Sequence, residues 1–164
     1  MKNNILILHL IFATITLFSC KSSKDLKPKE SPITFTEIKT GENSNYLAFT
    51  TFEIRNFNEL TAVWVNLFVN YDRKPPIPSF DFENKMLIAV ALGERNNGSY
   101  SIKIESVLET KNRVIIIAEE NKPGSTCNSP TVMVYPFQLI EIPKTDKEIT
   151  FTKTLKVNEC GKGF

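Results

Sequence analysis

The run Met86-Leu87-Ile88-Ala89-Val90-Ala91-Leu92 constrains this chain more than any other stretch. An unbroken apolar run has no face to give to water. It fits a strand covered on both sides, or a short helix buried all round. Its length and the breakers beside it favour the strand. Gly93-Glu94-Arg95-Asn96-Asn97-Gly98-Ser99 follows, and its Asn-Gly step is a strong turn signal. From Tyr100 the pattern alternates. Tyr100, Ile102 and Ile104 share one face, and Ser101, Lys103 and Glu105 the other. Buried strand, reversal and half-exposed strand together read as a β-hairpin.

The N-terminus has a different logic. Lys2 precedes an apolar stretch from Ile5 to Phe18, ending Leu17-Phe18-Ser19-Cys20. The stretch is short for a membrane span and suits a signal h-region. Its end resembles a bacterial lipobox, with Leu three before the cysteine and a small residue one before it. Residues 1–19 are then a lipoprotein signal peptide, and Cys20 is the lipidated residue of the mature chain. The alternative is an ordinary secretory signal with a chance cysteine. Several buried acyl chains give stable anchoring, where one is marginal. Residues 20–31 carry Lys21-Ser22-Ser23-Lys24-Asp25-Leu26-Lys27-Pro28 and read as a flexible tether. Lys21 is not an inner-membrane retention signal of the Asp type. The expected location is the bacterial cell envelope, lipid-anchored, at the outer membrane.

Residues 32–164 are enough for one domain with a real core. Thr/Phe/Ile-rich stretches at Pro32–Lys39 and Tyr46–Ile54 flank a Gly41–Asn45 turn and suggest a second hairpin. Between Asn56 and Tyr71 the period changes. Leu60, Val63, Trp64, Leu67, Phe68 and Tyr71 line one face of a helix. Asn56 with Glu59 resembles a capping box, and Trp64 on that stripe reads as core. The alternation slips between Ile104 and Val107, which suggests a bulge. Lys111-Asn112 is a turn, Val114–Ala118 a buried strand and Glu119–Pro130 a loop. Thr131–Ile142 is a strand that Pro136 confines to an edge or bulge, and Ile149–Val157 is the last strand. The fold class is mainly β (α+β): an antiparallel β-sandwich or barrel-like sheet with one amphipathic helix.

Composition excludes several chemistries. The formal charge is +2 and no basic stripe interleaves with aromatics, so nucleic acid has no electrostatic footing. The single histidine, His9, falls inside the signal. A mature chain without histidine lacks the base of Ser-His-Asp and Cys-His catalysis. Three cysteines are too few for an all-thiolate zinc site. No metal and no cofactor is expected. With Cys20 assigned, Cys127 and Cys160 remain as one pair in a compartment that permits disulfides. A Cys127–Cys160 disulfide tying the C-terminal tail to the Gly/Ser/Pro loop is expected, the alternative being two free thiols. An enzyme would depend on carboxylates such as Asp81, Glu83, Glu94 and Glu119, and no spacing singles out a pair. The reading is therefore not an enzyme.

The segments Phe80–Ile104 and Ser129–Lys144 resemble the PrcB C-terminal domain family. The residues that carry the resemblance are Asp81-Phe82, the strand ending at Gly93, Gly93-Glu94-Arg95-Asn96-Asn97-Gly98-Ser99-Tyr100, Lys122-Pro123-Gly124, Ser129-Pro130 and Ile142-Pro143-Lys144. Ser99 stands where the family pattern has a second glycine. The namesake is a lipoprotein subunit that associates with and stabilises a cell-surface subtilisin-like protease. The resemblance thus implies a non-catalytic accessory protein with a protein partner, held at the membrane by its lipid anchor. A loop on a rigid β scaffold suits recognition, and Arg and Tyr are enriched at interface hot spots. Gly93, Glu94, Arg95, Asn96, Asn97, Gly98 and Tyr100 are the candidate contact. On this reading Arg95→Ala weakens partner capture without lowering the melting temperature. The plainer reading of the same residues is a closed turn, a solvated Arg95 and a core Tyr100. A glycan- or small-ligand-binding envelope domain is the alternative function.

Overall fold

The computed structural model describes residues 29–160. The signal stretch 1–19, the lipidation candidate Cys20 and the tether up to Pro28 lie outside the described residues. The strands are β1 (Ser31–Pro32), β2 (Thr36–Gly41), β3 (Thr50–Ile54), β4 (Lys85–Ala91), β5 (Ser101–Glu109), β6 (Arg113–Pro123), β7 (Phe137–Pro143) and β8 (Glu148–Asn158). One helix, α1 (Phe57–Phe68), lies between β3 and β4. They build two four-stranded sheets, the first in the order β1-β5-β6-β8 and the second β2-β7-β4-β3. Pairing is antiparallel throughout except for β6 with β8, which run parallel.

The apolar run explains the layering. Met86, Ile88, Val90 and Leu92 point from β4 into a core shared with Ile102, Ile104, Val107, Val114, Ile116 and Ala118 of the first sheet. Leu87, Ala89 and Ala91 point the other way, against Leu60, Val63, Trp64, Leu67 and Phe68 of α1. The second sheet is therefore a middle layer, with the first sheet on one side and the helix on the other. Each fully buried aliphatic side chain stabilises this arrangement by about 1.5–3 kcal/mol.

The helix begins as its sequence requires. Asn56 is extended, and its Oδ1 accepts from the Glu59 N–H at 3.0 Å. Glu59 reaches back to the Arg55 N–H at 2.7 Å, one residue earlier than the usual capping box. Trp64 is core, and its indole N–H donates to the Pro75 carbonyl at 3.0 Å. The proline-containing segment after the helix thus folds back over it.

Both expected hairpins are corrected. β4 and β5 belong to different sheets, so Leu92–Tyr100 is a crossover between layers. A strand apolar on both faces needs cover above and below, which β4 has between the first sheet and the helix, with β7 and β3 as its in-plane ladder partners. β5 keeps one polar face and goes to the sheet whose outer face is open. β2 and β3 do not pair with each other either; they are opposite edges of the second sheet. Two boundaries also move. β6 continues through Glu119-Glu120-Asn121-Lys122-Pro123, which had read as loop, because β8 pairs with it along its full length. β7 starts only at Phe137, after Pro136. The bulge lies where the alternation slips, between Ile104 and Ser106.

At that bulge a polar side chain crosses the core. Gln138, 5% exposed, accepts from the Ile104 N–H and donates to Glu37. The bulge interrupts the ladder with β6, and the amide from the opposite sheet serves the backbone there.

Candidate functional site

Three chain segments meet where β4 runs out of its sheet. After Ala91 the Leu92 N–H still donates to the Pro136 carbonyl at 2.8 Å. Gly93 then turns with φ +86°, the only positive φ among the described residues. A Cβ there would lie 2.7 Å from the Ala48 backbone, so both conformation and space require glycine. The Glu94 N–H donates to the Leu47 carbonyl at 3.1 Å, and Arg95 exchanges two backbone bonds with Val134, at 2.9 and 2.8 Å. Segment 130–136 is held from its other side by Glu42–Ser44: the Tyr135 N–H donates to the Glu42 carbonyl and the Ser44 N–H to the Tyr135 carbonyl. The crossover is thus pinned to two other loops by main-chain hydrogen bonds.

Asn97-Gly98 is not a primed hairpin turn, because Gly98 does not take a positive φ. The Asn97 Oδ1 accepts from the Ser99 N–H at 2.9 Å and the Asn97 carbonyl from the Tyr100 N–H at 3.3 Å. Gly98 is needed for closeness: a Cβ would meet a Val132 methyl at 2.9 Å, and its N–H donates to the Pro130 carbonyl at 3.0 Å. Ser99 is exposed and its N–H is satisfied within the turn, so no second glycine is required there.

Arg95 does not stand out into solvent. Its Nε and Nη2 both lie 2.9 Å from Glu120 Oε1, and its Nη1 donates to the Glu94 carbonyl at 2.7 Å. The other Glu120 oxygen takes Lys153 Nζ at 2.7 Å. Arg95 lies over the Tyr100 ring at 5.7 Å, and Lys153 over Phe49 at 5.3 Å. Tyr100 packs half-buried on the inter-sheet core, as its phase with Ile102 and Ile104 predicts. Glu120 is buried. Burial pushes its carboxyl up, but the hydrogen bonds from Lys153 and Arg95 outweigh this and hold it below its ordinary value. Arg95→Ala would therefore cost stability as well as any contact, which revises the sequence expectation of an unchanged melting temperature.

The outward features of this end are different residues. Leu47 is 70% exposed, Val132 50% and Met133 47%. They sit on the segments that flank the crossover, beside exposed Glu94 and Asn96. Glu94 accepts from the Tyr135 hydroxyl at 3.0 Å, which raises the Tyr135 pKa. Sequence reasoning singled out the crossover but missed Leu47, Val132 and Met133. The sequence carried no signal for them, because Tyr46–Ile54 and Thr131–Ile142 read as strands, and β3 and β7 begin only at Thr50 and Phe137. Beyond the loops, a Cys127–Cys160 disulfide closes the β6–β8 ribbon. The Gly124 N–H donates to the Asn158 carbonyl at 2.9 Å beside it.

The four candidate carboxylates are not brought together. Asp81 and Glu83 lie before β4 and Glu94 after it, roughly 20 Å away along a strand of this length. Asp81 accepts from the Glu83 and Asn84 backbone and from the Asn84 side chain. The Asn84 side-chain bond leads in lowering its pKa. Glu119 faces outward from the first sheet with Lys103 Nζ at 3.2 Å. Among the described residues no cluster of Cys, Asp and Glu is placed to hold a metal ion. A groove of about 750 Å³ at the start of β4 is open and lined by Glu83, Asn84, Lys144, Thr145, Asp146 and Lys147.

Residues 86–143 match the model of the family described as PrcB C-terminal. The matched stretch runs from β4 to the end of β7, and holds the crossover, Glu120 and the flanking loop 124–136. It supports the family resemblance carried by the Gly93–Tyr100 motif. Neither the curated proteins nor the solved structures yield a match to the chain.

Proposed function

We propose that this chain is a non-catalytic, lipid-anchored envelope protein that binds a protein partner through its three-loop end, as an accessory subunit of a secreted or surface protease complex. The observation that carries the reading is the combination at the crossover. A backbone fixed by Gly93, the Arg95–Val134 bridge and the Arg95–Glu120–Lys153 ion group presents Leu47, Val132 and Met133 to solvent. Preorganised loops bind with less entropy to lose, and exposed apolar side chains with a polar rim are what an interface uses. The match over residues 86–143 supports the family resemblance, and the protease-complex role is what that resemblance implies. Cys20 supplies the anchor in this proposal, placing the domain at the outer membrane.

The test is crosslinked affinity capture of the tagged full chain from envelope extract, compared with a Leu47→Asp/Met133→Asp variant. A stoichiometric secreted or surface protease is expected with the wild type, reduced roughly tenfold by the variant, as for loss of a hot-spot pair. Both substitutions are at exposed positions, so the melting temperature stays within about a degree of wild type. A glycan or lipid seen by native mass spectrometry, with no protein captured, would replace this reading with the ligand-binding one.

A further inference from the structure

The end of a sheet is a row of open N–H and C=O groups, and proteins ordinarily blunt it. Two of the four edges here are blunted, and a third is less than half the length of β8. β1 has only two residues, one of them Pro32. β2 breaks register between Glu37 and Lys39. β3 has five residues. β8 differs on every count. It has eleven residues, contains neither proline nor glycine, and pairs with β6 from Glu148 to Asn158 without a register shift. Among the described residues nothing pairs with its other side. Its two lysines would be the usual protection, but Lys153 is folded back onto Glu120 at 2.7 Å and Lys156 leans toward Glu119 at 3.9 Å. Leu155 remains 60% exposed.

The strand is also complementary to itself. Glu148, Thr150, Thr152, Thr154 and Lys156 share the outer face of the sheet, and Ile149, Phe151, Lys153 and Leu155 the inner. We propose that β8 pairs antiparallel with β8 of a second copy, about a two-fold axis at Thr152, and fuses the two first sheets into one. In that register Glu148 faces Lys156 of the other copy, twice by symmetry. Ile149 faces Leu155, Thr150 faces Thr154, and Phe151 faces the stem of Lys153. Glu148 has no ion pair within its own chain among the described residues, and Lys156 is 55% exposed. Sliding the axis to Lys153 sets lysine opposite lysine, which opposes pairing. The occupant is thus a second copy, argued from charge complementarity.

The strand shares Lys153 with the ion group behind the three-loop end, but the test uses Glu148 and Lys156, so the proposal stands or falls separately from partner capture. Native mass spectrometry and sedimentation velocity of the full chain in detergent, at micromolar concentration, test it. The wild type is expected to dimerise. Glu148→Lys places two lysine pairs across the axis and raises the dimer dissociation constant roughly tenfold or more. Lys156→Glu places two glutamate pairs there, with the same result. Mixing the two variants restores both ion pairs and gives a one-to-one heterodimer. Circular dichroism confirms that each variant is folded before mixing. A monomeric wild type, a Glu148→Lys chain that still dimerises, or folded variants that do not combine would each overturn the proposal.

Discussion

The two ends of β4 solve the same problem with different physics. At its start, Asp81 is exposed and its hydrogen bonds stay within three residues, to Glu83 and Asn84. At its far end, a carboxylate is buried and its partners come from afar: Arg95 is 25 residues before Glu120 and Lys153 is 33 after it. A local turn needs only its own sequence. A buried ion group needs two sheets and a crossover in place before any of its members gains. The first should therefore fray and re-form independently, while the second reports on the whole fold.

Four measurements would break or sharpen this contrast. The largest effect is expected from Cys127→Ser/Cys160→Ser, which opens the ribbon beyond Glu120. Cross-linking over that separation is worth about 3–4 kcal/mol in the chain-entropy model, readable as a lower denaturant midpoint. Next is Glu120→Ala, which leaves Arg95 and Lys153 without their carboxylate. Loss of one member of a buried pair costs about 3–5 kcal/mol, and partial exposure of both cations brings this to about 2–3 kcal/mol. Equality with a surface substitution would remove the buried-ion account of the loop end.

Acid gives a third, smaller readout. The Glu120 carboxyl lies below its ordinary value in the folded state. Its contribution is therefore complete at neutral pH and is lost as pH falls below the ordinary value and through the folded one. Wild-type stability should decline over that range more steeply than that of Glu120→Gln, measured by urea unfolding at a series of pH values. Parallel slopes would mean the ion group adds nothing specific. Asp81→Ala should have the smallest effect: a shift in melting temperature below all the others, with faster amide exchange confined to residues 82–84.

The same contrast sorts what the sequence could show. Features written in local order were legible. The double-faced burial of β4, the stripe and Asn56 cap of α1, the core role of Trp64 and the bulge after Ile104 all follow from periodicity or capping chemistry. The Cys127–Cys160 disulfide follows from parity and compartment, and the fold forms it. Strand partners were not legible, because adjacent strands in sequence usually pair and here two such steps change sheet or take opposite edges. Glu119-Glu120 looked like the start of a loop, since nothing nearby in sequence foretells Arg95 and Lys153. Gln138 did carry a signal, a lone carboxamide in an apolar strand, but its Ile104 partner is 34 residues away. At the candidate site the motif marked the stretch Gly93–Tyr100, but as a hairpin loop and not as a crossover between sheets. It could not tell that Arg95 faces inward while Leu47 and Met133 face out.

The parallel pairing of β8 with β6 has a consequence in time. β6 cannot receive β8 until the chain has left the first sheet, laid β7 into the second and returned. That is the last closure in chain order, and a crossover of this kind forms slowly because loop entropy is lost before its contacts gain anything. A chain emerging from its N-terminus can assemble the helix-backed second sheet while Lys153 and Cys160 are still missing. The loop end would then be the last region to harden. During that interval Glu120 is held by Arg95 alone, Cys127 is an unpaired thiol, and the flank of β6 that β8 will cover is open.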